Sequence, residues 1–487
     1  MEIAVIGLGQ TGILFAHSLL EKGVHLTLID SGGFDFESNL IAKSEYIFQA
    51  PSRMPDDVHR VGGGANHWYG RVSQFPDYVF DNTFNGWPID SKTMVPYYEK
   101  VYEKLSIGPI LDKDFSEFFL GDIKEVISPK LDLGPYFKCN PHYFSELLSE
   151  LQSSPNVTFL LDSPVLRIQE GADGASEVVF ANGKTLVSPK LVISAGTIQS
   201  TALLLRSKKF LPKIGNEHLI GKNLMEHYDG YVGTLKIKSK DFHRYSHLLN
   251  GSTLKSVNLG ENVRSFGFGI KLPSGFFKTA ELPSLDFHLH VEPYQEVFTF
   301  GDLYFMFPRK SKVKDLLFKI ELLIRKFAVR PFQRLTDYVF QISRFSLYMK
   351  GEELPFIDSK MELLETNANI LGRVVYRHRV SKETSIGIRK SLREFRVRFH
   401  SLDIGKIVYF KWFMHSPAIS YAGPNWHPMG TTPLNTDESK RITESDLSLT
   451  GYPHIFLLNA GIFPSGSYQN PATTTLAFAL RLVDHIV

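Results

Sequence analysis

The sequence is poor in cysteine, with Cys139 as its one thiol in 487 residues. A single thiol excludes an intrachain disulfide and any CxxC metal or redox motif. The sequence also lacks a run of about 18 uncharged apolar residues, so it predicts no transmembrane helix. It contains neither internal repeats nor low-complexity tracts.

No sign of charge dominates either, because 54 Lys and Arg face 51 Asp and Glu and leave a net charge of +3. That charge is too small to indicate a nucleic-acid partner, and we expect none. An apolar fraction of 43% and a charged fraction of 22% are typical of a globular protein. The opening residues MEIAVIGLGQTG show neither a charged n-region nor a cleavage site, so we expect no secretory signal and a cytoplasmic location.

The opening of the chain has the pattern strand, glycine turn, helix, strand. Residues 3–6 are apolar and β-branched, as in a buried parallel strand, and GLGQTG (7–12) follows as a G-x-G-x-x-G motif. A helix is predicted over 13–22 and a second strand over 24–29, closed by Asp30. This context predicts a Rossmann-like domain that binds a dinucleotide, with Asp30 on a ribose. The motif alone does not separate NAD from FAD.

A second glycine-rich segment, HRVGGGANHWYGRV (59–72), contains three consecutive glycines followed by His67 and Trp68. Glycines lack the side chains that would keep a ligand or another segment away from the backbone. Two such segments favour a long cofactor that lies against both, with the flat rings of His67 and Trp68 beside it. The second segment therefore favours FAD over NAD.

Further segments complete a pattern along the chain. A helix is predicted after GWPID, a hairpin at Asn182-Gly183, and a strand–turn–helix unit in LVISAGTIQS. These pieces and others resemble the glucose-methanol-choline (GMC) oxidoreductases, in the order that this family has. The matching pieces are GLGQTG with Asp30, GGGANHW, GWPI with PYY, ISAGTIQS, IGKNLMEH (220–227), WHPMGTT (426–432) and the C-terminal N-x-G-x-F-P…NP.

The resemblance implies a fold and a division of the chain. The fold class is α/β (α+β overall): a Rossmann-like FAD-binding domain with a parallel sheet, and a substrate domain on a mainly antiparallel sheet backed by helices. The FAD-binding domain is expected to be discontinuous, over 1–230 and 420–487, with 231–419 as the substrate domain. Because the glycine loop ends in His-Trp, the sequence is most similar to the pyranose-oxidase and sugar-dehydrogenase members.

The same resemblance implies a reaction, the FAD-dependent oxidation of an alcohol, such as a sugar or other polyol, to a carbonyl. In that family a hydride passes to the flavin N5, and the matching base is His427. An imidazole suits this role because its usual pKa lies near working pH. The second active-site position matches Asn470, whose amide can bind the substrate oxygen without competing for the proton.

The resemblance also assigns cofactor contacts. A covalent bond from His67 to FAD is one hypothesis, and oxygen, a quinone or a protein is the expected electron acceptor. No metal site is expected, since His288 and His290 lack a third ligand at suitable spacing. The residues expected to hold the cofactor are Gly7, Gly9, Gln10, Thr11, Gly12, Asp30, Arg60, Gly63, Gly64, Asn66, His67, Ala195, Gly196, Gly461 and Pro471.

Residues 309–350 are rich in Lys and Arg, with an apolar helical face over 316–327. A basic amphipathic helix can lie on an anionic membrane or dock a partner protein, although a surface helix of the domain itself would have the same pattern. The alternatives left open are an NAD enzyme, a flavin-dependent subunit of a membrane-associated dehydrogenase complex, and a redox-neutral flavin lyase. Cys139 lies outside the matching motifs, which counts against the lyase.

Overall fold

The structure is a computed structural model of the chain. It describes residues 1–34, 44–48, 60–68, 70–81, 86–107, 130–139, 143–171, 174–238, 263–279, 287–293, 335, 338–339, 342–366, 369–415, 423–424 and 427–487.

A six-stranded, mainly parallel sheet contains the N-terminal strand. In spatial order the strands are β19 (Ser448–Leu449), β20 (Tyr452–Leu457), β10 (Leu191–Ile193), β1 (Glu2–Ile6), β2 (His25–Ile29) and β6 (Val157–Leu160). The pairs of β1 with β2 and β10, of β10 with β20 and of β2 with β6 are parallel, and β19 is antiparallel to β20. The apolar run of the first strand is explained by burial on both faces, as is usual in parallel sheets.

Four helices accompany this sheet: α1 (Gln10–Leu20), α3 (Ser91–Lys104), α4 (Tyr143–Ser153) and α9 (Ala472–Ile486). Helix α1 packs against α4 and α9, and α9 also packs against α3. The helix predicted over 13–22 begins three residues earlier, at Gln10, so its first turn lies inside the glycine motif. Its end at Gly23 is confirmed, because Gly23 has a φ of 74° and its N–H donates to the Leu20 carbonyl over 2.9 Å.

An eight-stranded sheet of antiparallel pairs forms the second layer. In spatial order the strands are β17 (Lys406–Tyr409), β11 (Tyr228–Lys238), β14 (Ile342–Gly351), β13 (Phe287–Pro293), β12 (Val263–Lys271), β5 (Asp132–Cys139) and β4 (Arg71–Val72), with β18 (Gly423–Pro424) beside β11. Two of these strands, β4 and β5, come from the first 140 residues, so segments on both sides of residue 230 share this sheet. The division of the chain into domains stays a prediction.

The remaining strands of the described residues form two three-stranded sheets. One contains β15 (Lys360–Thr366), β16 (Asn369–His378) and β3 (Ser44–Phe48), with β3 parallel to β16. The other contains β7 (Val165–Glu170), β8 (Ser176–Phe180) and β9 (Thr185–Ser188). The hairpin predicted at Asn182-Gly183 joins β8 to β9, and the Gly183 N–H donates to the Phe180 carbonyl over 3.0 Å.

The remaining helices are α2 (Asp77–Asp81), α5 (Gly196–Ser207), α6 (Ser274–Thr279), α7 (Lys382–His400) and α8 (Lys411–His415). Helix α7 packs against β17 of the eight-stranded sheet. The α/β class, with a parallel sheet and a mainly antiparallel sheet backed by a helix, is therefore confirmed.

The basic stretch 309–350 lies largely outside the described residues, which within it are 335, 338–339 and 342–350. Its last nine residues, 342–350, lie on the strand β14 and not on a surface helix, and Lys350 is buried. Lys350 therefore does not belong to a basic surface, and the sequence-based assignment of this residue is wrong. The strand expected around His288 and His290 is present as β13, whose side chains are outside the description. Within the described part of the chain, no helix has the length and apolarity needed to cross a membrane.

Candidate active site

The glycines of the first motif fall into two kinds. A Cβ at Gly7 would lie 2.4 Å from the Cα of Ala195, and a Cβ at Gly12 would lie 2.2 Å from the carbonyl oxygen of Gly7. Gly7 also has a φ of 97°, so it needs glycine on two counts. At Gly9, none of the described atoms lies within 4 Å of the Cβ position. Gly7 and Gly12 thus permit close packing, whereas Gly9 leaves open space for a ligand.

The second glycine segment lies directly on the first. The Gly62 N–H donates to the Leu8 carbonyl over 2.7 Å, and Gly9 and Gly62 form an isolated parallel bridge. A Cβ at Gly63 would lie 3.4 Å from the Cα of Gly9, but none of the described atoms lies within 4 Å of that position at Gly64. Gly62 and Gly63 therefore allow the two loops to contact each other, whereas Gly64 leaves an open surface.

Other residues predicted around this loop differ in what they contact. The Nδ2 group of Asn66 donates to the carbonyls of Val61 and Gly63, over 3.2 and 3.1 Å, so this amide stabilises its own loop. His67 ends the short 3₁₀ helix Gly63–His67, but its side chain lies outside the described part of the structure. Arg60 precedes the loop and is partly buried.

The start of α1 is suited to a phosphate group. The first helical bond runs from the Ile13 N–H to the Gly9 carbonyl, over 2.9 Å, so the N–H groups of residues 10–12 precede it. No side chain of the described ranges caps this end of the helix. Free N–H groups and the positive end of the helix dipole favour an anion there. The Oε1 atom of Gln10 is buried and has no hydrogen-bond partner among the described residues.

Asp30 closes β2 beside the glycine motif, where the sequence placed it. Its Oδ2 accepts a hydrogen bond from the Leu8 N–H over 2.8 Å, and its Oδ1 accepts one from the Gly32 N–H over 3.0 Å. The carboxylate is thus held at the edge of the open space by backbone donors.

The remaining predicted cofactor residues lie on neighbouring turns. Gly196 begins α5 with a φ of 69°, and its Cβ position has no neighbour within 4 Å in the described part of the chain. The Thr11 hydroxyl reaches Thr475 on α9 over 3.4 Å, and Pro471 is the N-terminal cap of that helix. A Cβ at Gly461 would lie 2.6 Å from Oδ1 of Asn459, so packing within the protein explains that glycine.

Backbone hydrogen bonds at His427 and at a residue close after it fix the position of this segment. Its own N–H donates to Oε2 of Glu226 over 2.8 Å. Two residues on, Met429 exchanges two backbone hydrogen bonds of 3.0 Å with Met225. The segment IGKNLMEH thus pairs with the segment that contains His427. The imidazole is partly buried, and its Nδ1 has no hydrogen-bond partner among the described residues.

The ring of His427 faces the ring of His227 edge-on, with 5.2 Å between the ring centroids. His227 is 1% exposed, and the backbone of Ser467 lies within hydrogen-bonding reach of its ring. Neither ring nitrogen makes a well-aligned hydrogen bond within the described part of the chain. Burial, together with the charges of Lys350 and Arg71, lowers the pKa of His427 to about 3. Burial also holds the pKa of His227 well below its usual value. Both imidazoles are therefore neutral at pH 7, with lone pairs that can accept a proton.

Asn470 is connected to these histidines by Lys350. The Nζ of Lys350 donates to Oδ1 of Asn470 over 3.3 Å, and both side chains are 8% exposed. Asn470 directly precedes Pro471 at the start of α9. Since the charge of Lys350 also acts on His427, the two predicted catalytic residues share one neighbour.

Beneath His427 lies a buried polar network that the sequence did not reveal. Glu226 also accepts from the Tyr376 hydroxyl over 2.5 Å, and its N–H donates to Oε2 of Glu353 over 3.1 Å. That oxygen also bonds Nε2 of His378 over 2.8 Å. Burial raises the pKa of Glu226 to about 7, partly opposed by the charge of His378.

Sequence reasoning missed Glu226, His227 and Lys350 as site residues. The first two lie in IGKNLMEH, a segment that carries the family resemblance but to which the sequence assigns no catalytic or cofactor-binding role. The adjacent Glu and His were the available signal. Lys350 carried no such signal, because it follows ten other basic residues in 309–350.

Comparison with known proteins adds a family assignment for the C-terminal part. Residues 400–479, which include His427 and Asn470, match the family model for GMC oxidoreductases. Among curated protein sequences, none matches the chain.

Three solved structures have a similar fold. Pyridoxine 4-oxidase from Mesorbium loti is 15% identical, with a TM-score of 0.61 and coverage of 99% of this chain and 98% of that chain. An arginine-to-lysine variant of formate oxidase from Aspergillus oryzae RIB40, described for its effect on FAD modification, is 14% identical, with a TM-score of 0.55 and coverage of 99% and 97%. A further formate oxidase structure is 13% identical, with a TM-score of 0.56 and the same coverage of 99% and 97%.

The resemblance to GMC oxidoreductases is confirmed by these findings, as is FAD as the cofactor of this type of enzyme. The fold is shared with pyridoxine 4-oxidase and formate oxidase. The substrate, the base, the individual cofactor contacts and the covalent bond from His67 stay predictions.

Proposed function

We propose that this chain, which carries a GMC oxidoreductase domain, oxidises an alcohol to a carbonyl with bound FAD and with His427 as the base. The donor is a CH–OH group, as in a sugar or other polyol. The observation that carries the proposal is the neutral, partly buried imidazole of His427, which lies against His227 and shares Lys350 with Asn470.

The residues around the open glycine surface fit FAD. The N-terminus of α1 and the uncovered backbone at Gly9 would hold the pyrophosphate. Asp30 would accept hydrogen bonds from ribose hydroxyls, and Gly64 would let the backbone lie against the cofactor. Gly196 would do the same at the start of α5.

The chemistry removes a proton from oxygen and a hydride from carbon. FAD, when bound, supplies the hydride acceptor at N5. His427 accepts the hydroxyl proton, because an alkoxide is otherwise too basic to form at neutral pH. With a pKa near 3 the imidazole is already neutral at pH 7, and the same lowering of its pKa makes it a weaker base than an ordinary imidazole. The Asn470 amide donates to the substrate oxygen, whose charge grows as the proton leaves.

The electron acceptor is proposed to be oxygen, a quinone or a protein. The similar structures are named as oxidases, which supports oxygen. Anaerobically reduced protein that reoxidises at once on mixing with air would support oxygen. Reoxidation that needs an added quinone would favour a dehydrogenase.

The test of the base is His427→Ala, with His485→Ala as the matched control because His485 is partly exposed on α9. We expect both variants to retain the visible flavin absorbance. On anaerobic mixing with a panel of alcohols, His427→Ala should reduce its flavin about 100-fold or more slowly than wild type. Flavin reduction at the wild-type rate in His427→Ala would show that His427 is not the base. A purified protein that contains no flavin would refute the proposed function as a whole.

A covalent bond between His67 and FAD is a separate part of the proposal. The residue follows the open glycine surface at Gly64, which supports its placement near the cofactor. Acid precipitation of the purified protein tests it. Yellow colour in the pellet of wild type, but in the supernatant of His67→Ala, is the expected result. Colour in the wild-type supernatant would exclude the bond.

Peripheral docking through 309–350, without Lys350, also stays a prediction. Co-sedimentation with vesicles that contain or lack anionic lipid tests it, and equal binding to the two would end it.

A further inference from the structure

We infer that Lys350 is a positioning residue, which holds the Asn470 amide with its NH₂ group toward the substrate oxygen. The inference rests on the proposed function, since the substrate oxygen is defined by it. It concerns a residue on β14, 77 positions before His427 in the sequence and outside the segment that matches the GMC family model.

The direction of the Asn470 amide follows from the chemistry of its neighbour. A lysine ammonium group has only hydrogen-bond donors. The Asn470 atom that lies 3.3 Å from Nζ must therefore be the oxygen, which leaves the NH₂ group for other partners. Without Lys350, the two ends of the amide could exchange places. The NH₂ group is the end that can donate to an alkoxide, so the orientation has a catalytic consequence.

Burial makes this orientation firm. Lys350 and Asn470 are each 8% exposed, and an ammonium group is costly to remove from water unless polar groups surround it. Exchange of the amide would bring its NH₂ group against the ammonium, donor against donor. In a buried site that arrangement loses the hydrogen bond and adds repulsion.

Charge supports the same role. The groups that act on His427 are Lys350 and Arg71, and those that act on His227 are Lys350, Arg71 and His427 itself. Glu226 contacts His427 from the backbone side. The positive charge of Lys350 therefore favours neutral imidazoles and a negative substrate oxygen. Removing it should raise the pKa of His427 and move the acid limb of the pH–rate profile to higher pH.

The experiment uses Lys350→Met, which keeps the length of the side chain, and Lys350→Arg, which keeps a cationic donor. Lys406→Met is the control, because Lys406 is an exposed lysine of the same sheet, on β17. We expect Lys350→Met to reduce its flavin at least about tenfold more slowly at saturating alcohol, with a smaller change in KM. Lys350→Arg should recover part of that rate, and Lys406→Met should behave as wild type.

A double-mutant cycle decides whether Lys350 acts through Asn470. If it does, Lys350→Met should add little to the loss already caused by Asn470→Ala. Fully additive losses would overturn the inference.

A second measurement does not need turnover. In ¹⁵N-asparagine-labelled flavoprotein, the side-chain NH₂ signals of Asn470 are assigned by their loss in Asn470→Ala. Lys350→Met should shift or double these signals, and Lys406→Met should not. Unchanged signals in Lys350→Met would refute the contact even if alcohols reduce the flavin. If no alcohol reduces the wild-type flavin, the proposed function fails, while the NMR result still decides whether Lys350 orients Asn470.

Discussion

The carboxylate of Glu226 accepts a hydrogen bond of 2.8 Å from the backbone N–H of His427. The next residue, His227, packs its ring against the ring of the same histidine. Adjacent residues of one segment thus contact His427 from its backbone and from its side chain. The position of the candidate base is therefore set by a segment 200 residues earlier in the chain.

Glu226→Ala is expected to weaken both the fold and the site. It leaves the His427 N–H and the Tyr376 hydroxyl without their acceptor, and each unsatisfied buried group costs about 1–3 kcal/mol. We expect a lower melting temperature and slower alcohol-driven flavin reduction, with flavin still bound. Glu362→Ala is the control, since that carboxylate forms partly exposed ion pairs worth about 1 kcal/mol or less. Equal melting temperatures for the two variants would contradict the role of Glu226.

The pH dependence of flavin reduction should separate His427 from Glu226. A base with a pKa near 3 is neutral throughout pH 5–8 and gives no acid limb in that range. Glu226, whose pKa is raised to about 7, does change charge there. Any change in the rate of flavin reduction with an apparent pKa near 7 should therefore vanish in Glu226→Gln. A change with an apparent pKa near 6.5 that persists in Glu226→Gln would show that His427 titrates normally.

Much of the first sheet could be predicted from sequence, whereas the second could not. The unit β1–α1–β2 was predicted within three residues, because glycine spacing and apolar periodicity are local signals. The pairing of β5 with β12 joins segments more than 120 residues apart, and no local pattern encodes that choice. Lys350 was misplaced for the same reason. A lysine among other basic residues resembles a surface residue until the strand that carries it is placed beside Asn470.

The two kinds of glycine in the first motif predict opposite effects of substitution. Gly12→Ala places a Cβ 2.2 Å from the Gly7 carbonyl, so it should destabilise the fold strongly. Gly9→Ala meets no described atom within 4 Å, and Gly9 has an ordinary φ of −76°. We expect Gly9→Ala to leave the melting temperature of the flavin-free chain unchanged but to weaken FAD binding in a fluorescence titration. Wild-type FAD affinity in Gly9→Ala would show that the open space at Gly9 does not receive the cofactor.

His227→Phe should make the protein more stable and less active. The Ser467 backbone can bond only one ring nitrogen of His227, so at least one buried nitrogen has no hydrogen-bond partner among the described residues. An unsatisfied buried group of this kind costs about 1–3 kcal/mol. Phenylalanine keeps an aromatic ring against His427 and removes that cost, so the melting temperature should rise. Buried polar groups that cost stability are found at functional sites, where they contact a ligand. If His227 contacts the substrate in this way, its replacement by phenylalanine should slow the reduction of flavin by alcohol. A variant that is more stable and reduces its flavin at the wild-type rate would show that His227 is only a packing residue, and the site would then rest on His427 and Asn470 alone.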